Sequence, residues 1–226
     1  MSTQSIKLFP VYVWEVPVRI WHWLMAACMV VLAVTGYLIG SPLPSIGGEA
    51  SEHYLFGYIR FAHFAAGYVF DVGLLGRLYW AVVGNHHARE LFTLPVFSRA
   101  YWHEVLTMLK WYAFLIPRPS RYVGHNPLAR AAMFFGFFFL TLFMIVTGFA
   151  LYGEGTQAGS WSHTLFSSWV IPLFGQSQDV HTWHHLGLWG MLIFITLHVY
   201  AAIREDIMGR PSIVSTMISG HRTFKD

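Results

Sequence analysis

The chain has 226 residues, of which 55% are hydrophobic, 18% aromatic and 11% charged, where an ordinary soluble domain carries roughly 25% charged residues. A mean hydropathy of +0.48 with a formal net charge of only +3 excludes a soluble globular domain, a disordered chain and a collagen-like chain. The lone cysteine, Cys28, lies in an apolar run and excludes an intrachain disulfide, a CxxC redox pair, a cysteine-ligated Fe–S cluster and a covalent CxxCH haem site.

The composition predicts an all-α integral membrane protein, with a single membrane domain over residues 1–226. A helical crossing needs about 20 apolar residues, and four segments supply them. The first is 18–39, opened by Pro17, a residue suited to a first helical turn. No small-residue cleavage site follows a short apolar region, so this segment reads as a span and not as a signal peptide. The second, 57–83, is less uniform because it carries Arg60, Asp71 and Arg77. Asp71 falls near mid-span and reads as protonated and hydrogen-bonded, since no other span has an acid to extend a proton path. The central connection, 84–130, contains RAYWHEVLTMLKWYAFLIP (99–117), where Trp and Tyr mix with scattered charge. That pattern predicts an amphipathic helix lying on the membrane interface and stopped by Pro117 and Pro119. The third span, 131–152, is the most apolar, and the fourth is 182–203, followed by the tail 204–226. VTGY (34–37) and VTGF (146–149) echo one another in the first and third spans. Trp21, Trp23, Trp80, Trp183 and Trp189 sit near span ends, as interfacial belt residues do.

Lys and Arg set the expected orientation. The connection 84–130 holds Arg89, Arg99, Lys110, Arg118, Arg121 and Arg130. Lys7 and Arg19 precede or open the first span, and Arg204, Arg210, Arg222 and Lys225 follow the fourth. The opposite loops, 40–56 and 153–181, have no Lys or Arg and carry Glu49, Glu52, Glu154 and Asp179. Both termini and the central loop are therefore expected on the cytoplasmic side, which the family resemblance given below makes that of a bacterial inner (cytoplasmic) membrane. The basic residues flank spans and build no separate basic module, so no nucleic-acid partner is expected.

Thirteen histidines are many for so apolar a chain, and His22, His63, His184 and His198 fall inside spans. An ionisable residue within a span is a functional-site hypothesis by default. His184 and His198 are fourteen residues apart, four helical turns less roughly 40°, so they share a face with a rise of about 21 Å. His185 and His181 fit that face less well. Depth then pairs His63 with His184 on the outer side and His22 with His198 on the inner side. Two stacked bis-histidine sites suit two haems of b type, held by ligation and packing alone. One closed tetrahedral zinc site is incompatible with that separation. Gly36, Gly67 and Gly187 stand near these histidines and could leave room for a porphyrin, and Arg60 and Arg77 could neutralise propionates at the outer and inner sites. Cys28 reads as packing.

Five segments together, WEVPVRIWHWL (14–24), VTGYLIGSPLPS (34–45), GYIRFAHF (57–64), GHNPLARAAMF (124–134) and HTWHHLGLWGMLIFITLHVYAAIREDIM (181–208), resemble the b-type cytochrome subunit of membrane-bound nickel–iron uptake hydrogenases. That family is similar to the cytochrome subunit of formate dehydrogenases. The resemblance implies a four-helix anchor with two b haems on His22, His63, His184 and His198. It implies a periplasmic hydrogenase, with small and large subunits, as the partner that delivers electrons, and quinone as the acceptor. No hydrogen-activating site is expected in this chain. The outer loops 40–56 and 153–181 are expected to touch the partner. Three other readings stay open: a cytochrome for another periplasmic dehydrogenase such as formate dehydrogenase, a haem-free transporter with histidine proton relays, and a structural anchor with vestigial haems.

Overall fold

The computed structural model describes residues 10–44, 53–117, 122–209 and 212–223. Glu49 and Glu52, Pro119, and the basic residues Lys7, Arg118, Arg121, Arg210 and Lys225 lie outside the described residues.

Four helical runs are long and apolar enough to cross a membrane: α1 (Val16–Gly40), α2 (Leu55–Val83), the run Pro127–Glu154, and α8 (Ser177–Met208). They coincide with the four expected spans and extend past them into polar sequence. Apolar content marks the stretch that fits lipid, whereas helical hydrogen bonding continues until a cap or glycine ends it. Between a sixth and a quarter of each apolar window is buried within the protein (17% to 22%). Val30, Phe61, Val72, Val82 and Ile193 are all more than 60% exposed. On helices with no polar face to present, such surfaces belong against acyl chains.

The run Pro127–Glu154 has three parts: α5 (Pro127–Ala131), π-helical turns over Ala132–Phe138, and α6 (Phe139–Glu154). Asn126 caps it, its Oδ1 accepting from Ala129 N at 2.7 Å with Pro127 in the first turn.

The chain packs as two compact units. Unit 1 comprises residues 1–23, 76–134 and 196–226. Here β1 (Val11–Tyr12) pairs antiparallel with β2 (His221–Arg222), so the two ends of the described chain lie side by side. Gly220, at φ 84°, turns the chain out of α9 (Ile213–Ser219), and its carbonyl accepts from Val13 N at 2.8 Å. Glu15 ties this corner to α2, since its Oε2 accepts from Trp80 Nε1 at 2.9 Å and Asn85 N at 2.8 Å. Val13, Trp14, Val18 and Ala88 form the apolar core, with Trp80 and Met217 against it. The short α3 (His86–Arg89) is capped by Asn85.

The expected amphipathic helix is α4 (Arg99–Tyr112), capped by Ser98. Tyr101, Val105, Met108 and Trp111 are its buried residues, a helical spacing of one stripe. Trp102, Leu106 and Leu109 face outward. The helix ends at Tyr112 and not at Pro117. Phe114 takes a positive φ of 62°, and the α4 carbonyls of Trp111 and Tyr112 are taken by Arg204 at 2.8 and 2.7 Å, so the cap comes from a residue distant in sequence.

Unit 2 comprises residues 24–75 and 135–195. The connection after α6, expected as a loop, is instead structured by π-helical turns at His163–Ser167 and by α7 (Ser168–Phe174). Ala150, Val170 and Val180 are its buried core, covered by Val146, Phe166 and Phe174. Ser167 donates its Oγ to Ala150 O at 2.7 Å. Gly153 admits this contact: a Cβ there would lie 2.4 Å from Ser167 Oγ and 2.7 Å from His163 N. Cys28, on α1 in the same unit, is a buried free thiol, as expected of packing.

Candidate functional site

Unit 1 brings His22 of α1 and His198 of α8 together, with ring centroids 6.3 Å apart. Two imidazoles sharing one metal ion, each bonded at about 2 Å, have centroids about 6 Å apart, so the pair fits a common axial-ligand geometry. His22 is half-buried, and its Nδ1 is buried without a hydrogen-bond partner among the described residues. His198 is exposed, so protein alone does not cover its ring.

Arg77, expected near this inner pair, is almost fully buried, at 2% exposure. Its Nη2 donates to Ala88 O at 2.7 Å, and its guanidinium lies 5.5 Å from the Trp21 ring and 5.2 Å from the Phe92 ring. Nε and Nη1 are buried without hydrogen-bond partners among the described residues. A buried guanidinium with two nitrogens unspent, and no acid paired with it among the described residues, is suited to an anionic group.

Unit 1 also holds a second polar cluster, none of whose residues the sequence reading singled out as a site. Glu90 accepts from His87 Nδ1 at 2.6 Å and from His125 N at 3.1 Å, and His125 Nδ1 is 3.7 Å from its Oε2. Burial alone would raise the Glu90 carboxyl, but the hydrogen bonds from His125 and His87 outweigh it and hold it at about 2. Burial pushes the His125 imidazole down, against the pull of Glu90. Glu205, on α8, accepts from Tyr112 at 2.9 Å and from Asn126 Nδ2. Burial, reinforced by the Glu205 carboxylate, pushes the Tyr112 hydroxyl up. No regular periodicity marks these residues; the nearest signal in the sequence is the run NHHARE at 85–90.

Unit 2 contains both His63 of α2 and His184 of α8. Each Nδ1 meets a threonine: His63 meets Thr35 Oγ1 at 2.9 Å, and His184 meets Thr147 Oγ1 at 2.7 Å. Both threonines are buried. Gly36 and Gly148 lie under the rings, where an added Cβ would be 3.2 Å from His63 Cε1 and 3.3 Å from His184 Cε1.

The glycine expectations divide. Gly36 stands against a candidate ligand, His63. Gly67 faces open space, and Gly187 is filled by Met144, whose Sδ would lie 2.4 Å from an added Cβ. Gly187 thus admits a close contact between α8 and the Met144 side chain of α6, as small residues do where membrane helices pack. Arg60 is exposed, with its guanidinium 6.0 Å from the Phe64 ring. Asp71 is half-buried, and no hydrogen bond from another described side chain reaches it. His185, which helical phase set aside, packs against Gly40, and its Nε2 is buried without a hydrogen-bond partner among the described residues.

Four apolar helices with facing histidines define a multi-pass membrane protein of the cytochrome b class. The profile of the family described as prokaryotic cytochrome b561 matches residues 13–220, and the chain belongs to that family, whose description implies haem b. Relatives share the whole length. The chain is 68% identical over 225 residues to a "Probable Ni/Fe-hydrogenase B-type cytochrome subunit" of Cupriavidus necator, covering 100% of this chain and 91% of the relative. A protein so described in Azotobacter vinelandii is 61% identical over 220 residues, covering 97% and 91% of the two chains. The "Probable Ni/Fe-hydrogenase 1 B-type cytochrome subunit" of Escherichia coli K12 is 50% identical over 231 residues, covering 100% and 96%.

Proposed function

We propose that this chain is the membrane cytochrome b of a nickel–iron hydrogenase complex, anchoring the hydrogenase at the periplasmic face and carrying its electrons to quinone. Two haems b are held, one by His63 and His184 and the other by His22 and His198. The observation that carries this reading is the His22–His198 pair, whose centroid separation of 6.3 Å suits a shared iron. The names of the full-length relatives support the partner. When bound, haem iron supplies a reversible one-electron couple at a potential set by its axial ligands and burial.

The chain's own residues fix the ligand rings, exclude water from them with apolar helices and offer Arg77 to a propionate; Arg60 is assigned the same role at the outer pair. The distribution of charge supports cytoplasmic termini: Arg60 is the single Lys or Arg in unit 2, and unit 1 contains the rest. The pairing of β1 with β2 puts residues 11–12 and 221–222 on one side together. α4, with an apolar outward stripe and Lys110 in its last turn, suits the interface on that same side.

Pyridine haemochrome analysis of the purified chain tests the reading, with two haems b per chain expected. His198→Ala is expected to lose one haem and to stop hydrogen-dependent quinone reduction, while hydrogen oxidation with an artificial acceptor persists. Normal quinone reduction in that variant would defeat the proposal.

A further inference from the structure

The two VTG tripeptides, 34–36 on α1 and 146–148 on α6, build the same local structure. Thr35 Oγ1 donates to Val31 O at 2.6 Å and stands 2.9 Å from His63 Nδ1. Thr147 Oγ1 donates to Phe143 O at 2.7 Å and stands 2.7 Å from His184 Nδ1. The following glycine lies beneath the same ring in both cases, at 3.2 and 3.3 Å from Cε1 to an added Cβ. The threonines are 8% and 1% exposed, so water does not compete for these bonds.

A threonine hydroxyl has one proton, and here the carbonyl four residues back takes it, because a carbonyl can only accept. The hydroxyl oxygen is left with lone pairs toward the imidazole, so Nδ1 must bear the hydrogen and donate it. The ring is thereby fixed in one tautomer and one orientation, with the lone pair on Nε2. Glycine lets the ring approach close enough for the bond to form; a side chain there would push it off the hydroxyl.

We infer that Thr35 and Thr147 are positioning residues that lock His63 and His184 as Nε2 ligands and make those imidazoles stronger donors to iron. The inference rests on the proposed ligation. A hydrogen bond from Nδ1–H raises the basicity of the ligating nitrogen, and a more basic ligand favours the oxidised iron. The threonines therefore hold the potential of this haem down, which suits the site nearer the electron source. His22 Nδ1 has no such acceptor among the described residues.

The test is redox titration with electron paramagnetic resonance on membranes containing the full complex, for Thr35→Val, Thr147→Val and the corresponding serine variants. Valine keeps the shape and removes the acceptor. The expected result is an upward shift of one haem midpoint and a moved low-spin signal for that haem, with the other haem unchanged and serine restoring both values. Haem-replete valine variants with wild-type midpoints and signals overturn this inference alone. So does equal impairment, or equal haem loss, in the valine and serine variants, because shape and not the hydroxyl would then matter. A wild-type chain without b haem, or His184→Ala retaining two haems, overturns the ligation reading and this inference with it.

Discussion

The guanidinium of Arg204 lies over the indole of Trp111, 4.5 Å from the ring centroid, and donates Nη2 to the Trp111 carbonyl at 2.8 Å. Its Nη1 donates to the Tyr112 carbonyl at 2.7 Å, and the Phe114 ring centroid lies 4.1 Å from the same guanidinium. One α8 residue thus supplies the acceptors of the α4 C-terminus with their donors, which is the electrostatically favoured place for a cation. Because α8 also carries His198, the amphipathic helix α4 and a candidate ligand share one support.

Arg204→Met is expected to leave the Tyr112 carbonyl without its donor, to strip the Trp111 carbonyl of its charged one and keep only its Phe114 N partner, and to cost about 2–3 kcal/mol. Lysine should recover only part of this, since an ammonium cannot fork to two carbonyls while stacking on an indole. Thermal melts of the detergent-solubilised protein, followed by tryptophan fluorescence, check the order wild type, Lys, Met. A methionine variant that melts with the wild type would show that the cap is dispensable.

Glu90 makes unit 1 sensitive to acid. Its carboxyl is held at about 2 against an ordinary 4.5, so the ionised form is favoured in the folded state. The stabilisation is present above the unfolded value and is lost as pH falls from about 4.5 toward 2. Melting temperature measured against pH should decline over that window in the wild type. Glu90→Gln should flatten the decline and lower the plateau at neutral pH, because the His87 and His125 donors lose a charged acceptor.

Two glycines predict opposite signs. Gly153→Ala places a methyl against Ser167 Oγ and the His163 backbone, and since backbone cannot give way, a loss of about 1–3 kcal/mol is expected. Gly57→Ala meets nothing within 4 Å and should gain up to about 1 kcal/mol from the better helix former. Denaturant titrations of both variants in the same detergent provide the comparison.

Arg77→Gln should weaken retention of one haem and spare the other. Arg77 shares unit 1 with His22 and His198 and has two buried donors unspent, whereas His63 and His184 belong to unit 2. Haemochrome quantitation after purification should give close to one haem per chain. Full occupancy would place the propionate partner elsewhere.

Much of the bundle was legible in the chain. The four spans appear where the apolar runs predict them, because lipid imposes its requirement residue by residue. His184 and His198 could be related by phase since both lie on α8. What failed was read from single segments without their neighbours. The segment 153–181 lacked a regular apolar pattern, yet Ser167 and Gly153 fold it onto α6. The echo of VTG was visible, but its meaning was not.

The sequence by itself determined that the chain is a helical membrane protein, where its spans fall and which histidines lie within them. These follow from hydrophobicity and helical period, properties that add up along neighbouring residues. Only the tertiary structure decided which polar groups meet. Thr35 and His63 are 28 residues apart, and Tyr112 and Glu205 are 93 apart. Hydrogen bonds act over about 3 Å, so such pairings depend on how helices rotate and pack against one another, which no local pattern encodes.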